Sequence, residues 1–218
     1  MTLLRFSDGN RTQPSFSALN HDLRPIILIC LLPIFVHLPD LLGWSSANPI
    51  RFCPGLSSFH EDRLLRGLPW IDPSIGTYAQ ALGKLSAEEW LSGRIPWWNY
   101  YSGVGLPLAA EMSPAAFFLP FVLLNHFFNG LLYAQIILQI LAGVGTYYLL
   151  RAIGLIKFGA ATGAILYEFC GVFGWLGAPW ANTIPFLPWL ILGIERARER
   201  SLCRSPGGWL LIGISLAF

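Results

Sequence analysis

Asp72, set directly before Pro73, heads a polar and aromatic stretch from Leu68 to Pro107 that also carries Lys84, Glu88, Glu89 and Arg94. Proline disfavours the helical region for the residue preceding it, so Asp72 is predicted to be held extended. Such a carboxylate has two uses. It serves chemistry as a general base or as a ligand to a hard divalent cation. Alternatively it caps a helix predicted over Pro73 to Ser92, with Pro73 at the first helical position. Further on, the cluster Trp97-Trp98-Asn99-Tyr100-Tyr101 is dense in aromatic surface. It suits an interface belt, and equally a platform that stacks on a sugar ring or receives a lipid-phosphate headgroup. Glu111 is either a boundary charge at the start of an interfacial helix or a second carboxylate. In the second case it would help Asp72 bind a metal or a phosphate-linked donor.

Composition says what surrounds these residues. The chain is 54% hydrophobic and 12% charged, with a mean hydropathy of +0.54, where a soluble domain averages about 25% charged. From Met112 to Leu150 there is no Asp, Glu, Lys or Arg, and such a run must be satisfied by lipid or by neighbouring helices. A net charge of +2 without a basic stripe argues against nucleic acid as a partner. No phosphate-binding glycine loop, zinc-protease motif or nucleophile elbow occurs. Cys30, Cys53, Cys170 and Cys203 match neither a metal-site spacing nor a disulfide framework.

The apolar segments set the frame around the loop. Residues 1–24 read as a cytoplasmic tail, and 25–44 as a first transmembrane helix. Residues 45–130 read as an outer loop with juxtamembrane helices, and 131–218 as further transmembrane helices at Leu131–Leu150, Phe158–Leu176, Trp180–Ile194 and from Gly208 on. Ser45-Ser46-Ala47 also fits a signal-peptide cleavage site, but the continuation into further apolar segments favours an uncleaved anchor. Pro114 to Phe128 spans 15 residues and contains Pro120, which suits a helix lying in the interface better than a crossing. If it does not cross, the tail and the loops carrying Arg151, Lys157, Arg196, Arg198, Arg200 and Arg204 share the cytoplasmic side, as the positive-inside rule asks. Glu168 lies inside an expected span, where an ionisable residue is functional or is hydrogen-bonded to a neighbouring helix. The apolar segment opening at Gly208 is shorter than a span, so the chain is expected to be the N-terminal piece of a longer protein.

The segment SGRIPWWNYYSGVGLPL, about twenty residues after Asp72, and SPAAFFLPFVLL after it resemble the bacterial YfhO-like family of multi-pass membrane proteins. LAGVGTYYLLRAIGL and the stretch from Ala160 to Arg200 are similar to the later helices of that family. The family is in turn similar to the GT-C class of glycosyltransferases. The resemblance implies an all-α, polytopic transmembrane bundle of GT-C type in the bacterial inner membrane, N-terminus cytoplasmic. It implies transfer of a sugar from a polyprenyl-phosphate carrier to an acceptor on the outer face, among membrane lipids. Asp72 matches the catalytic loop aspartate, and Gly93, Pro96, Trp98 and Asn99 match the signature. Trp97, Tyr100 and Glu168 depart from it. On this reading Arg94 or Lys84 assists the phosphate leaving group, and Arg94, Trp97, Trp98, Asn99, Tyr100 and Glu111 line the substrate site.

Two other classes remain open: a transporter or flippase with Glu168 as its coupling carboxylate, and a scaffold that kept the fold without the chemistry. Transport predicts paired broken helices and internal repeats, and neither is visible. Sugar transfer and scaffolding differ at Asp72 alone.

Overall fold

The computed structural model describes residues 22–44, 78–111, 115–119, 121–127, 129–175, 182–199 and 206–217. Among these residues the chain is all-α, and the one β feature is an isolated bridge between Asn99 and Leu106. The helices are α1 (Leu23–Val36), α2 (Leu38–Leu41), α3 (Gln80–Leu91), α4 (Phe121–Leu124), α5 (Gly130–Ala152), α6 (Lys157–Glu168), α7 (Leu187–Glu199) and α8 (Pro206–Ala217).

Helix α5 is the axis of the packing. Its 23 residues carry no charge before Arg151, and it is the one helix among the described residues long and apolar enough to cross a membrane. The other expected spans are helical but shorter. Helix α1 ends at Val36, because Pro39 has no N–H to continue the ladder, and the chain resumes as the single turn α2. The segment expected from Phe158 to Leu176 divides into α6 and a 3-10 turn at Gly171–Trp175. A second 3-10 turn, Ile184–Phe186, leads into α7 with Pro188 in the first turn, where a missing N–H is tolerated. Within the expected segment from Pro114 to Phe128, the described residues 115–119 and 121–127 form turns and the four-residue α4, in place of the interfacial helix expected there.

Directions can be read from a few contacts. Asp22, at the head of α1, pairs with Arg151 at 3.4 Å and Lys157 at 2.8 Å, while His37, at the other end, bonds Gln139 at 3.1 Å. Helix α1 is therefore antiparallel to α5. Helix α6 returns from α5 through Gly154 at φ +96°. Leu155 N–H donates to Leu150 O and Gly154 N–H to Arg151 O, which closes the last turn of α5. Trp189 Nε1 donates to Leu141 O at 2.8 Å, and further along α7 Arg196 lies within electrostatic reach of Tyr148. Arg151, Lys157 and Arg196 thus share one end of the packet. Ile29, Tyr147, Ala160 and Ala164 form a core near that end, and Leu138, Ala142, Phe173 and Phe186 form another deeper in. Phe118 and Phe121 stack at 4.7 Å and meet Phe186 edge-on, which ties α4 to the end of α5 away from the cations.

Candidate functional site

Asp72 and the first residues of its expected helix lie outside the described residues, as does any approach of Asp72 to Trp98. The described part of that helix is α3, and the turn and hairpin that leave its C-terminus are the best-built feature of the loop. Gly93 takes φ +74°. Its N–H donates to Trp90 O at 3.0 Å and that of Arg94 to Glu89 O at 2.9 Å, the two bonds that close a helix on a left-handed glycine. This closure brings the Arg94 side chain back over the last turn, where Nε and Nη2 donate to the Glu89 carboxylate at 2.6 and 2.9 Å. The hydrogen bond from Arg94 pulls the Glu89 carboxyl below its ordinary value, against the small opposing effect of burial. Arg94 can therefore meet any other anion only by exchanging this partner.

Beyond Arg94 the chain makes a tight hairpin. Pro96 is fully buried at its root. Asn99 and Leu106 exchange both backbone hydrogen bonds, at 2.7 and 3.0 Å, and Gly105 N–H donates to Ser102 O at 2.7 Å. The Asn99 side chain is 5% exposed, and its Oδ1 accepts from Tyr101 N–H at 2.9 Å, the local turn that asparagine favours. Asn99 holds the hairpin's shape; its carbonyl oxygen is already used. Trp98 lies over Gly105, where φ is +92° and a Cβ would stand 2.0 Å from the indole Nε1. Trp97 packs on Phe117 at 5.6 Å, and Trp90 meets the same ring edge-on while donating to Ala116 O at 2.8 Å. The tip is left outside, with Tyr100 at 80%, Tyr101 at 84% and Val104 at 101% exposure.

The six residues expected to line a substrate site therefore divide. Arg94, Trp97, Trp98, Asn99 and Tyr100 are brought together, with Asn99 and Arg94 engaged inside the loop and Tyr100 facing outward. Glu111 stands half-buried past the hairpin's exit. Chemically the hairpin offers aromatic faces and phenol hydroxyls, and its residues 95–110 contain no charge. Among the described residues no three His, Cys, Asp or Glu side chains gather to hold a metal ion. Sequence reasoning did not single out Glu89 as the partner of Arg94, Gly105 as the seat of Trp98, or Phe117. The glycine five residues after Glu88 was the available signal, because a left-handed glycine folds the next side chain back over the helix end.

A second polar feature lies in the packet. Glu168 is 0% exposed, and neither carboxyl oxygen has a hydrogen-bond partner among the described residues. A Cβ on Gly143 would stand 3.0 Å from this carboxyl group and 2.7 Å from Ile29 Cγ2. The seat is thus shaped by a glycine of α5 between α1 and α6. Gly163 meets Leu150 closely, whereas Gly159 makes only ordinary contacts.

No protein-family model, curated protein or solved structure matches this chain.

Proposed function

We propose that the chain belongs to a polytopic membrane glycosyltransferase of GT-C type that resembles the YfhO-like proteins. It transfers a sugar from a polyprenyl-phosphate carrier to an acceptor on the outer face of the bacterial inner membrane. One observation carries the reading: beyond Arg94 the segment resembling the signature is an aromatic hairpin, charge-free over residues 95–110, at the end of α5 away from Arg151, Lys157 and Arg196. Cations mark the cytoplasmic side of a bundle, so the hairpin and the loop headed by Asp72 belong to the opposite side. Aromatic faces there suit both a sugar ring and the headgroup layer in which a lipid-linked donor presents its phosphate.

In this mechanism Asp72 takes the proton of an acceptor hydroxyl. The freed oxygen attacks the anomeric carbon, the new C–O bond forms, and the bond from that carbon to the phosphate oxygen breaks. Polyprenyl phosphate leaves with the electron pair. Lys84, whose ammonium is 3.9 Å from Glu88 in an exposed pair, is more readily released toward that phosphate than Arg94.

The test uses membrane vesicles holding the full-length protein and radiolabelled polyprenyl-phosphate hexoses. Asp72→Asn should lower transfer about 100-fold or more, the contribution of a general base, with abundance unchanged. An amide still accepts a capping hydrogen bond, so a capping role survives the change. Asp40→Asn should leave transfer intact, and Glu111→Gln should fall between. Wild-type transfer by the Asp72→Asn protein would overturn the assignment and favour a scaffold.

A further inference from the structure

We infer that the tip of the hairpin, Tyr100, Tyr101 and Val104, inserts into the phospholipid headgroup layer beside the end of α5. This rests on the membrane-spanning part of the proposed function and is independent of sugar transfer. At 1.5 Å per residue the 23 residues of α5 extend ~34 Å, against a hydrocarbon core of about 30 Å. If α5 spans, its Gly130 end lies at headgroup level. The hairpin is held at that end through a chain of contacts. Trp97 and Trp90 pack on Phe117, Phe118 is the next residue and stacks on Phe121 of α4, and α4 closes with the Leu124 carbonyl set against Gly130, the first residue of α5, whose N–H donates to Phe127 O at 3.0 Å.

The tip itself has the composition of an interfacial anchor. Val104 is wholly exposed between Gly103 and Gly105, and two tyrosines flank the turn with their rings almost free of the protein. The turn is pinned by the Asn99–Leu106 pair and the bond from Gly105 to Ser102, so these side chains cannot fold back to bury themselves. A rigid apolar tip in water is unfavourable, whereas tyrosine rings in a headgroup layer keep an apolar body in the boundary and a hydroxyl in water. Protein interfaces favour aromatics over charges as well, so what selects lipid here is position: the tip stands beside the Gly130 end of α5, at headgroup level if α5 spans. The stretch from Ile95 to Ala110 carries no charge, and it is bounded by Arg94, which is paired with Glu89, and by the half-buried Glu111.

The experiment uses the full chain in vesicles of phosphatidylethanolamine and phosphatidylglycerol. Cys30, Cys53, Cys170 and Cys203 are replaced by alanine, and an environment-sensitive fluorophore is attached at Val104→Cys or, for comparison, at Lys84→Cys. The Val104 label should show blue-shifted emission, quenching by shallow nitroxide lipids and loss of quenching by aqueous iodide, while the Lys84 label stays open to iodide. The Asp72→Asn protein should give the same result, which separates this inference from catalysis. Tyr100→Ser with Tyr101→Ser, at exposed positions, should weaken the lipid quenching. Equal iodide quenching at both sites, without lipid quenching, would overturn the inference by leaving the tip in water. Protection from both quenchers would overturn it too, in favour of a second copy or another protein. If the cysteine-free chain does not insert, a photo-crosslinking amino acid at position 104 of the otherwise unaltered chain replaces it. Adducts to phospholipid support the inference, and adducts to protein alone reject it.

Discussion

The hairpin after α3 and the packet where α1 and α6 meet α5 both depend on glycines that let a side chain come close, yet the results are opposite. In the hairpin, Gly105 receives the Trp98 indole, and the close approach turns Tyr100, Tyr101 and Val104 outward. In the packet, Gly143 receives Ile29 and the Glu168 carboxyl, and both are removed from the surface entirely. The hairpin is fixed by backbone hydrogen bonds and leaves its side chains available. The packet is fixed by side-chain packing and leaves a carboxyl group enclosed without a partner among the described residues. A surface meant to meet something outside the chain can be rigid only if its own backbone satisfies itself.

Substitutions at the two glycines separate the regions. Gly143→Ala should have the larger effect, because the added methyl overlaps two fully buried neighbours and overpacking a tight core costs about 1–3 kcal/mol. Thermal unfolding in detergent should show a clear fall in melting temperature while the fluorophore at Val104 keeps its emission. Gly105→Ala should do the reverse. A left-handed backbone costs a non-glycine residue about 1–2 kcal/mol, and Trp98, being partly exposed, can swing away. Emission at position 104 should therefore shift while the melting temperature of the packet changes little. Equal loss of both signals in either protein would mean that hairpin and packet are one cooperative unit.

The smallest effect belongs to Asp22, whose ion pairs close the cationic end of the packet. Burial pushes its carboxyl up, but Lys157 and Arg151 outweigh this and hold it below the ordinary 3.8. A carboxyl with a lowered folded value stabilises above its ordinary value, and that contribution is lost as pH falls through the folded one. Asp22→Asn should cost about 1 kcal/mol at neutral pH, since Lys157 is half-exposed and rehydrates. The difference from wild type should hold from pH 7 to about 5 and narrow in stronger acid. Its absence at neutral pH would show that packing alone holds α1 to α5.

Some of this was legible in the residues. The uninterrupted apolar run marks α5 within two residues at each end, and Ser92-Gly93 marks the end of α3. Pro114 to Phe128 reads as a helix lying in the interface, but its described residues form turns and only the four-residue α4. Lengths were less legible. The spans expected at Pro25 to Trp44 and Phe158 to Leu176 each divide in two, because a hydropathy window averages over Pro39 or Gly171, whereas the hydrogen-bond ladder is broken at one residue. At the candidate site, composition drew attention to Trp97 through Tyr101 without telling which ring would be buried in the loop and which would face out.

The sequence by itself determined that the chain is apolar and its described residues helical, where the longest helix among them lies, and where glycine and proline must end an element. These are local properties, set by hydropathy and backbone freedom within a few residues. Only the tertiary structure decided which side chains remain available. Asp22 and Arg151 stand 129 residues apart in the chain, and nothing near either one announces the pair. Glu168 is enclosed because Gly143 and Ile29, on two other helices, leave a space its own helix cannot foresee. Trp98 is seated on Gly105 and Tyr100 left exposed because the Asn99–Leu106 pair closed a hairpin around them. Burial and pairing belong to the assembled packing, in which distant segments compete for the same few ångströms.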